Sequence, residues 1–582
     1  MARLAAALAL ALAATPALAA SHPAEEGARG MVVTSQHLAS DIGAQILRQG
    51  GNAVDAAVAV GYAEAVTNEC CGNIGGGGFM VIHLASGRDT FINFRETAPA
   101  AATPDMYLGP DGNPRPGASL HGYLAAGVPG TVLGLDTALH RYGTMTREQV
   151  MLPAIRLARD GFVLTLADTD IIDAGAKALH ANPEAARIFF RADGSPLRPG
   201  DVLAQADLAN TLAAIAKDGP DAFYKGPRAQ AVEDAARAHG GILTAADFAA
   251  YTVMEAPPIQ CSYRGYTILS APPPSSGGVT MCEILGILAG YDMRALGFHS
   301  AAAVHLMTEA MRHAYMDRNT FLGDPAYVTN PVEHLLSPAY AAEIRGHIDP
   351  NRATPSVDVQ PGTAPHEHAE TTHYSVVDAA GNAVAVTYTV NGIFGASVVA
   401  PGTGYLLNDE MDDFTIKLGV PNLFGLVQGQ RNVIAPGKRP LSSMAPTIVT
   451  KDGRVAMVLG SPGGSRIITI TLQAISNLLD YGMQPQEAVD APRIHSQWLP
   501  DVLFAEPYAL SPDTRRILEQ MGHKIVEQTP WGAAELIILP PAVPETRPAS
   551  SGNDSLFGGV MRPGHVYGAN DNRRPSGSAV GE

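Results

Sequence analysis

Two strand-like runs on either side of a short polar turn decide the fold. The first is Thr371-Thr372-His373-Tyr374-Ser375-Val376-Val377, and the second is Ala383-Val384-Ala385-Val386-Thr387-Tyr388-Thr389-Val390-Asn391. Between them lie Asp378, Gly381 and Asn382, residues typical of a tight turn, so the stretch predicts a β-hairpin. Because side chains alternate along a strand, Thr387, Thr389 and Asn391 are predicted to share one face.

Thr371 is the candidate nucleophile at the head of this hairpin. If the chain is cut before Thr371, the new α-amine has an ordinary pKa of about 7.7–8.0 and accepts the hydroxyl proton near neutral pH. A buried internal threonine has no such base of its own. A threonine in an ordinary β-hairpin is the alternative interpretation, and this segment alone does not decide between the two.

The passage resembles the γ-glutamyltransferase (glutathione hydrolase) family, and the resemblance runs from about Gly30 to Glu582. These proteins are N-terminal-nucleophile hydrolases that cut themselves before such a threonine. The resemblance implies an α/β (α+β) fold, a four-layer αββα sandwich, and a cut between Glu370 and Thr371. The implied products are a large subunit, residues 20–370, and a small subunit, residues 371–582, interwoven as one catalytic body.

Bulk composition is typical of a large globular enzyme. The chain has 582 residues, of which 46% are hydrophobic and 16% charged, enough to bury a sizeable core. The net charge of −17 argues against nonspecific binding to nucleic acid or to anionic membranes.

Residues 1–19 have the pattern of a secretory signal peptide. A basic start and a short Ala/Leu run end in Ala17-Leu18-Ala19, which is an A-x-A cleavage site. The apolar run is too short to span a bilayer, and no later stretch approaches 18 apolar residues. We therefore expect no membrane span and an exported protein, most plausibly periplasmic in a bacterium.

The four cysteines leave the disulfide pattern open. They are Cys70, Cys71, Cys261 and Cys282, and no zinc-type CxxC pattern is present. An oxidising compartment permits disulfides, but adjacent cysteines rarely bond each other without strain. The pairing therefore stays open, and a structural or free-thiol role is the default interpretation.

Periodicity and capping residues predict several helices. Ala39–Arg48 and Ala53–Val66 are predicted as two helices, the second capped by Asn52. Residues 299–318 form a long helical pattern with Ser300 near its cap, within a mostly helical middle, residues 140–350. The run Gly75–Gly78 lacks a phosphate-binding spacing, so close backbone packing beside a site is favoured.

Three histidines near the proposed cut raise the question of a metal site. His366, His368 and His373 are close in sequence, but the Pro-, Thr- and His-rich stretch before Thr371 favours a solvated loop over a metal site. No metal and no organic cofactor are expected.

A glycine-rich turn is the candidate oxyanion site. Gly460-Ser461-Pro462-Gly463-Gly464-Ser465-Arg466 precedes the predicted helix Ile467–Leu479, with Ser465 as a plausible N-cap. Backbone N–H groups at such a turn point towards negative charge, although an ordinary strand-to-helix turn looks the same. By resemblance, Gly463 and Gly464 match the family's oxyanion-hole glycines, and Thr389 matches the threonine that holds the nucleophile.

The candidate substrate-binding residues also come from the resemblance. Arg95 matches an arginine that pairs with the α-carboxylate of a γ-glutamyl group, which suits a guanidinium fork, and Ser442 and Ser443 match a serine pair that binds the same carboxylate. Asn391, Glu410 and Asp413 match residues that bind the α-ammonium. A solvated or calcium-binding acidic loop is the alternative for 408–414, but EF-hand spacing is absent there.

The implied activity is transfer of a γ-glutamyl group from glutathione to water, an amino acid or a peptide. Residues 418–429 resemble a lid loop over the pocket, with Phe424 where many bacterial members have tyrosine. Two rivals remain: an acylase that removes glutaryl-type side chains from β-lactams, and an uncleaved exported binding protein. No G-x-S-x-G elbow is present, which disfavours an α/β-hydrolase serine enzyme.

Overall fold

Two seven-stranded antiparallel sheets lie face to face in the computed structural model, which describes residues 21–356, 371–540 and 561–582. Sheet I has the strand order β19 (Ser578–Gly581), β2 (Met31–Thr34), β10 (Thr372–Val377), β11 (Ala383–Thr389), β3 (Gly77–His83), β4 (Asp89–Asn93) and β7 (Met254–Ala256). Sheet II has the order β1 (Glu25–Gly27), β18 (Val566–Asn570), β17 (Glu535–Ile538), β13 (Arg454–Gly460), β12 (Thr447–Lys451), β9 (Tyr266–Ser270) and β8 (Ile259–Tyr263).

Shorter strands form two smaller sheets at the periphery. One contains β14 (Ile494–His495), β15 (Leu503–Ala505) and β16 (Ile525–Glu527), and the other pairs β5 (Phe162–Val163) with β6 (Val202–Leu203).

Strand alternation divides the apolar side chains between two kinds of core. In β2, Val33 packs between the sheets with Phe79 and Val458, whereas its neighbour Val32 packs on the helix side of sheet I. Each sheet therefore buries both of its faces, as the period-2 pattern of its strands allows.

Helices cover the outer face of each sheet. On sheet I lie His37–Arg48, Ala53–Thr67, Thr131–Tyr142, Arg147–Asp160, Leu166–Ala181, Pro183–Phe189, Ala206–Asp218, Asp221–Tyr224, Pro227–Ala238 and Ala245–Ala250. On sheet II lie Gly277–Leu288, Met293–Leu296, Ala301–Phe321, Val332–Leu335, Pro338–His347, Ile467–Leu479, Pro485–Asp490 and Pro512–Gln520. Single 3₁₀ turns occupy Tyr123–Ala125, Glu410–Asp413, Gln430–Asn432 and Gly464–Arg466. The predicted four-layer αββα sandwich is confirmed.

The predicted helix caps are confirmed at two places and wrong at a third. Asn52 caps the helix Ala53–Thr67 through a reciprocal pair with Asp55, and Ser300 accepts from the Ala303 N–H at 3.1 Å. Ser465 is not an N-cap, because it lies inside the 3₁₀ turn and its hydroxyl donates to Gln497.

The solvated-loop expectation is wrong for His373, whereas its place in the predicted first strand is confirmed. It does not lie in a solvated loop but on β10, where its ring meets the hydroxyls of Thr387 at 2.8 Å and Ser375 at 3.1 Å. Burial lowers the pKa of His373 to about 3, so the ring is neutral. His366 and His368 lie outside the described residues, as do the proposed signal peptide and Glu370.

Both cysteine pairs are bonded. Cys261 on β8 is joined to Cys282 in the helix Gly277–Leu288. Cys70 and Cys71 are bonded to each other, which is uncommon for adjacent cysteines. Among the helices that the structure describes, none has the length and apolar character needed to cross a membrane.

Candidate active site

The predicted hairpin is present and lies at the centre of sheet I. Thr372 pairs with Tyr388 and Val377 pairs with Ala383, and the Asp378 carboxylate closes the turn by accepting the Asn382 N–H at 3.0 Å. Extending this register by one residue places Thr371 opposite Thr389.

A short chain of hydrogen bonds fixes the candidate nucleophile. The Thr371 hydroxyl donates to the Thr389 hydroxyl oxygen across 3.3 Å. The Asn391 N–H donates to that same oxygen at 2.8 Å, and the Asn391 amide donates to the Asp409 carbonyl at 3.1 Å. Asn391 adopts φ +80°, a left-handed conformation that turns the chain out of β11 and towards the cavity.

The glycine run lies against this hairpin. A Cβ added to Gly76 would overlap the carbonyl oxygen of Thr389, and one added to Gly75 would overlap that of Leu406. The prediction of close backbone packing beside a site is confirmed, and the absence of side chains there lets β3 pair with the end of β11.

Arg95 is buried among carboxyl groups. Its guanidinium contacts Glu410 and Asp413, and Glu96 lies 3.7 Å away. Burial alone would lower the pKa of Arg95, but Glu410, Asp413 and Glu96 outweigh burial and raise that pKa. Burial raises the pKa of the Glu96 carboxyl to about 7, and also raises that of Asp413, where Arg95 partly offsets it.

Ser442 and Ser443 reach the same cavity from the loop before β12. Ser442 forms an isolated parallel bridge with Ser275, and the Ser276 N–H and hydroxyl both donate to the Ser442 carbonyl, at 2.8 and 2.6 Å. The run Pro272-Pro273-Pro274-Ser275-Ser276-Gly277-Gly278, here called the Pro272–Gly278 motif, thus holds the serine pair in place.

The candidate oxyanion glycines lie at the start of the 3₁₀ turn Gly464–Arg466, which leads into the helix Ile467–Leu479. Gly464 lines the cavity. The preceding residue, Gly463, does not line it and has φ +134°, a backbone angle that favours glycine. Helix N-termini present N–H groups to negative charge.

Nine of the ten predicted site residues line one small cavity: Arg95, Thr371, Thr389, Asn391, Glu410, Asp413, Ser442, Ser443 and Gly464. Phe424 lines it too, and its carbonyl accepts from Gln497 at 3.0 Å, which fixes the lid loop. Sequence reasoning missed Met444 and Ile467, whose apolar side chains give no chemical signal in the sequence.

One cluster away from this cavity has metal-ligand chemistry. His305, Glu309 and His523 each place a ligand atom within 4.8 Å of the others. The two rings already contact each other at 2.8 Å, and the Arg312 guanidinium lies 3.4 Å from the Glu309 carboxylate. These contacts join the three side chains to one another and to Arg312.

Comparison with known proteins agrees with this geometry. The family model described as gamma-glutamyltranspeptidase matches residues 39–554. The chain belongs to this family. This γ-glutamyltranspeptidase-family chain is 54% identical over 563 residues to the glutathione hydrolase proenzyme of Pseudomonas sp. (strain A14), covering 97% of this chain and 96% of that one. It is 50% identical to the glutathione hydrolase proenzyme of Escherichia coli (strain K12), covering 91% and 93% of the two chains.

A solved structure has the same architecture as this γ-glutamyltranspeptidase-family chain. The cephalosporin acylase from Bacillus halodurans superposes with a TM-score of 0.81 at 26% identity, covering 98% of each chain. The protein is an enzyme of the γ-glutamyltranspeptidase family with the N-terminal-nucleophile hydrolase fold.

Proposed function

We propose that this enzyme is a self-processing γ-glutamyltransferase and glutathione hydrolase, with Thr371 as its nucleophile. It cleaves the γ-glutamyl amide of glutathione and related compounds, and it transfers the γ-glutamyl group to water, an amino acid or a peptide. The observation that supports this most is the cavity, in which a threonine hydroxyl held by Thr389 meets cationic, acidic and hydroxyl groups in one small space.

In the proposed reaction, Thr371 Oγ attacks the γ-amide carbon of the donor. The hydroxyl proton passes to the α-amine of Thr371 and then to the leaving amine nitrogen as the C–N bond breaks. The negative charge on the former carbonyl oxygen is stabilised by the N–H groups of Gly463 and Gly464, and one such donor contributes roughly 10²–10³ in rate. Water or an amine then attacks the γ-glutamyl ester and regenerates the threonine.

Donor recognition in this proposal uses both charges of the γ-glutamyl group. Arg95, Ser442 and Ser443 bind the α-carboxylate, as guanidinium and hydroxyl donors suit it. Asn391, Glu410 and Asp413 bind the α-ammonium. All six line the cavity beside Thr371.

A glutaryl acylase is the second candidate, favoured by the fold shared with the Bacillus halodurans cephalosporin acylase. A glutaryl group keeps the carboxylate but lacks the α-amine. The acidic side chains of Glu410 and Asp413 in the cavity therefore favour a γ-glutamyl donor over a glutaryl one.

We also propose a cut between Glu370 and Thr371 and export through a signal peptide at residues 1–19, most plausibly to the periplasm. The position of Thr371 at the head of β10, together with the word proenzyme in the names of its relatives, supports the cut.

The decisive experiment is intact mass and N-terminal sequencing of wild type and Thr371→Ala, with anilide assays on both. We expect wild type to give two chains, one beginning Thr-Thr-His-Tyr, and to cleave a γ-glutamyl anilide. We expect Thr371→Ala to remain a single inactive chain. A stable single chain in wild type contradicts the proposal and supports the binding-protein alternative, and cleavage of glutaryl anilide alone supports the acylase.

A further inference from the structure

Arg318 lies directly behind the serine pair of the active site. It is near the end of the helix Ala301–Phe321 and is 1% exposed. Its guanidinium donates to four oxygens of neutral side chains: Ser276 at 2.9 Å, Asn319 at 2.7 Å, Gln428 at 3.1 Å and Ser443 at 3.0 Å.

Within the part of the chain that the structure describes, this guanidinium forms no ion pair, since all four of its acceptors are neutral. Arg95, by contrast, contacts Glu410 and Asp413 directly. Burial lowers the pKa of Arg318 to about 10; the nearby Asp413 opposes that effect and Arg95 adds to it. A buried charge is costly without an opposite charge close by, so the site has a cation that an incoming anion stabilises.

The direction of the Ser443 hydroxyl follows from the chemistry of arginine. A guanidinium only donates hydrogen bonds, so Ser443 Oγ accepts from Arg318 and its own O–H hydrogen must point elsewhere. Ser443 lines the cavity, and its hydroxyl is therefore available as a donor to a ligand there.

Arg318 also ties together three segments that form this end of the cavity. The Ser276 hydroxyl accepts a hydrogen bond from Arg318 and donates in turn to the Ser442 carbonyl at 2.6 Å. Gln428, near the end of the lid loop, also accepts a hydrogen bond from Arg318. Its amide donates to the Asp413 carbonyl at 2.8 Å. The guanidinium thus contacts the serine loop, the Pro272–Gly278 motif and the lid.

We propose that Arg318 is a positioning residue for the donor's α-carboxylate, which it serves by fixing Ser443 as a hydrogen-bond donor and by supplying a buried positive charge. This rests on the proposed function, because it assumes a donor whose carboxylate binds at Ser442 and Ser443. Arg318 does not line the cavity, so it acts on the carboxylate through Ser443 and through its charge.

The test compares two donors that differ in one group: a γ-glutamyl anilide with a free α-carboxylate, and its α-carboxamide analogue. We expect Arg318→Gln to lower the preference for the acid over the amide roughly 10- to 100-fold, the size of one charge interaction across a few ångströms of protein interior. The loss should appear mainly in KM of the acid. If the α-carboxamide analogue turns over too slowly to give a KM, its affinity is measured instead as its inhibition constant in an assay with the acid as substrate.

Arg318→Lys keeps the positive charge but not the planar guanidinium, so it should fold and lose only part of the preference for the acid over the amide. In a Ser443→Ala background, substitution of Arg318 should change the acid preference less, because the hydroxyl through which Arg318 acts is gone. Arg312→Gln is the matched control: it lies on the same helix, contacts Asp501 and Ser356, and should leave the acid preference unchanged.

An equal loss on acid and amide in both Arg318 variants overturns the proposal and assigns Arg318 a structural role only. If wild type cleaves no γ-glutamyl anilide, the proposed function fails instead. The same acid-to-amide comparison then uses glutaryl anilide, which also has a carboxylate, so the two failures are distinguishable.

Discussion

Two arginines of the active site differ in what compensates their charge. Arg95 contacts the carboxyl groups that the α-ammonium of a donor would also need, so the protein itself already balances the charge of Arg95. Among the residues that the structure describes, Arg318 donates only to neutral oxygens. A zwitterionic donor therefore has a counter-charge for each of its two groups, and a ligand with only one of them leaves a buried charge uncompensated.

At Thr389, we expect the hydroxyl to matter more than the shape of the side chain. Thr389→Val keeps the branched shape but loses the oxygen that accepts from Thr371 and from the Asn391 N–H. We expect turnover and self-cleavage both to slow about tenfold, the value of one to two buried hydrogen bonds.

Thr389→Ser is the control for this change, since it keeps the oxygen and should keep most of the activity. The measurements are kcat/KM on a γ-glutamyl anilide and the decay of the precursor band on a denaturing gel. Wild-type rates in Thr389→Val would show that the hydroxyl does not hold the nucleophile.

Residues in short motifs could be predicted from the sequence, whereas residues that act through tertiary contacts could not. Thr371, Ser442 and Gly464 stand in stretches whose composition is unusual by itself. Arg318 ends an ordinary helical pattern, and its importance depends on Ser443, which is 125 residues away in the chain. The Cys70–Cys71 bond could not be predicted for a different reason, since the pairing of four cysteines does not follow from their positions in the sequence.

At the scale of elements, the central hairpin depends on the strand beside it. β11 pairs with β3 from Ala383 to Thr389, and the glycines at the start of β3 let the chains approach there. Long periodic helices such as Ala301–Phe321 were predictable from capping and periodicity. The four-residue strand β19 was not, because a run that short has no period to detect.

Gly76→Ala should therefore damage the active site through the backbone. Its Cβ would overlap the Thr389 carbonyl, so β11 must shift at the residue that holds Thr371. We expect a destabilisation of roughly 1–3 kcal/mol and slower self-cleavage, measured by thermal unfolding and by gel.

The matched control for this variant is Gly346→Ala, in the helix Pro338–His347. An added Cβ meets nothing there within 4 Å, and alanine favours a helix. Gly346→Ala should process normally and be at least as stable as wild type. Normal processing of Gly76→Ala would show that the close approach at β3 is not required.

At the scale of the whole molecule, several carboxyl groups are buried in the core. Burial raises the pKa of Glu64 from 4.5 to about 7 and that of Glu69 from 4.5 to about 8. Between pH 4.5 and 8 the folded protein therefore holds protons that the unfolded chain has released. Stability contributed by these groups is complete below that window and falls as the pH rises through it.

Glu69→Gln should remove one part of this pH dependence. The amide keeps an oxygen to accept from Gln205, which donates to Glu69 at 2.8 Å, but it never pays the cost of a buried charge. We expect the variant to be more stable than wild type by roughly 1–3 kcal/mol at pH 8 and within about 1 kcal/mol of it at pH 5. Denaturant unfolding at both pH values measures this, and an equal difference at the two values would contradict it.

Each of the two large sheets takes strands from both sides of the proposed cut. In sheet I, β2 lies between β19 and β10, and β3 pairs with β11; in sheet II, β1, β8 and β9 flank four strands from the later part of the chain. The uncut precursor folds as one chain, a process that is independent of concentration. Once cut, the same structure can re-form only when two separate polypeptides meet, so refolding becomes second order and slows on dilution. If the proposed cut is made, a molecule that then unfolds in dilute solution lacks the connection that first brought its two parts together.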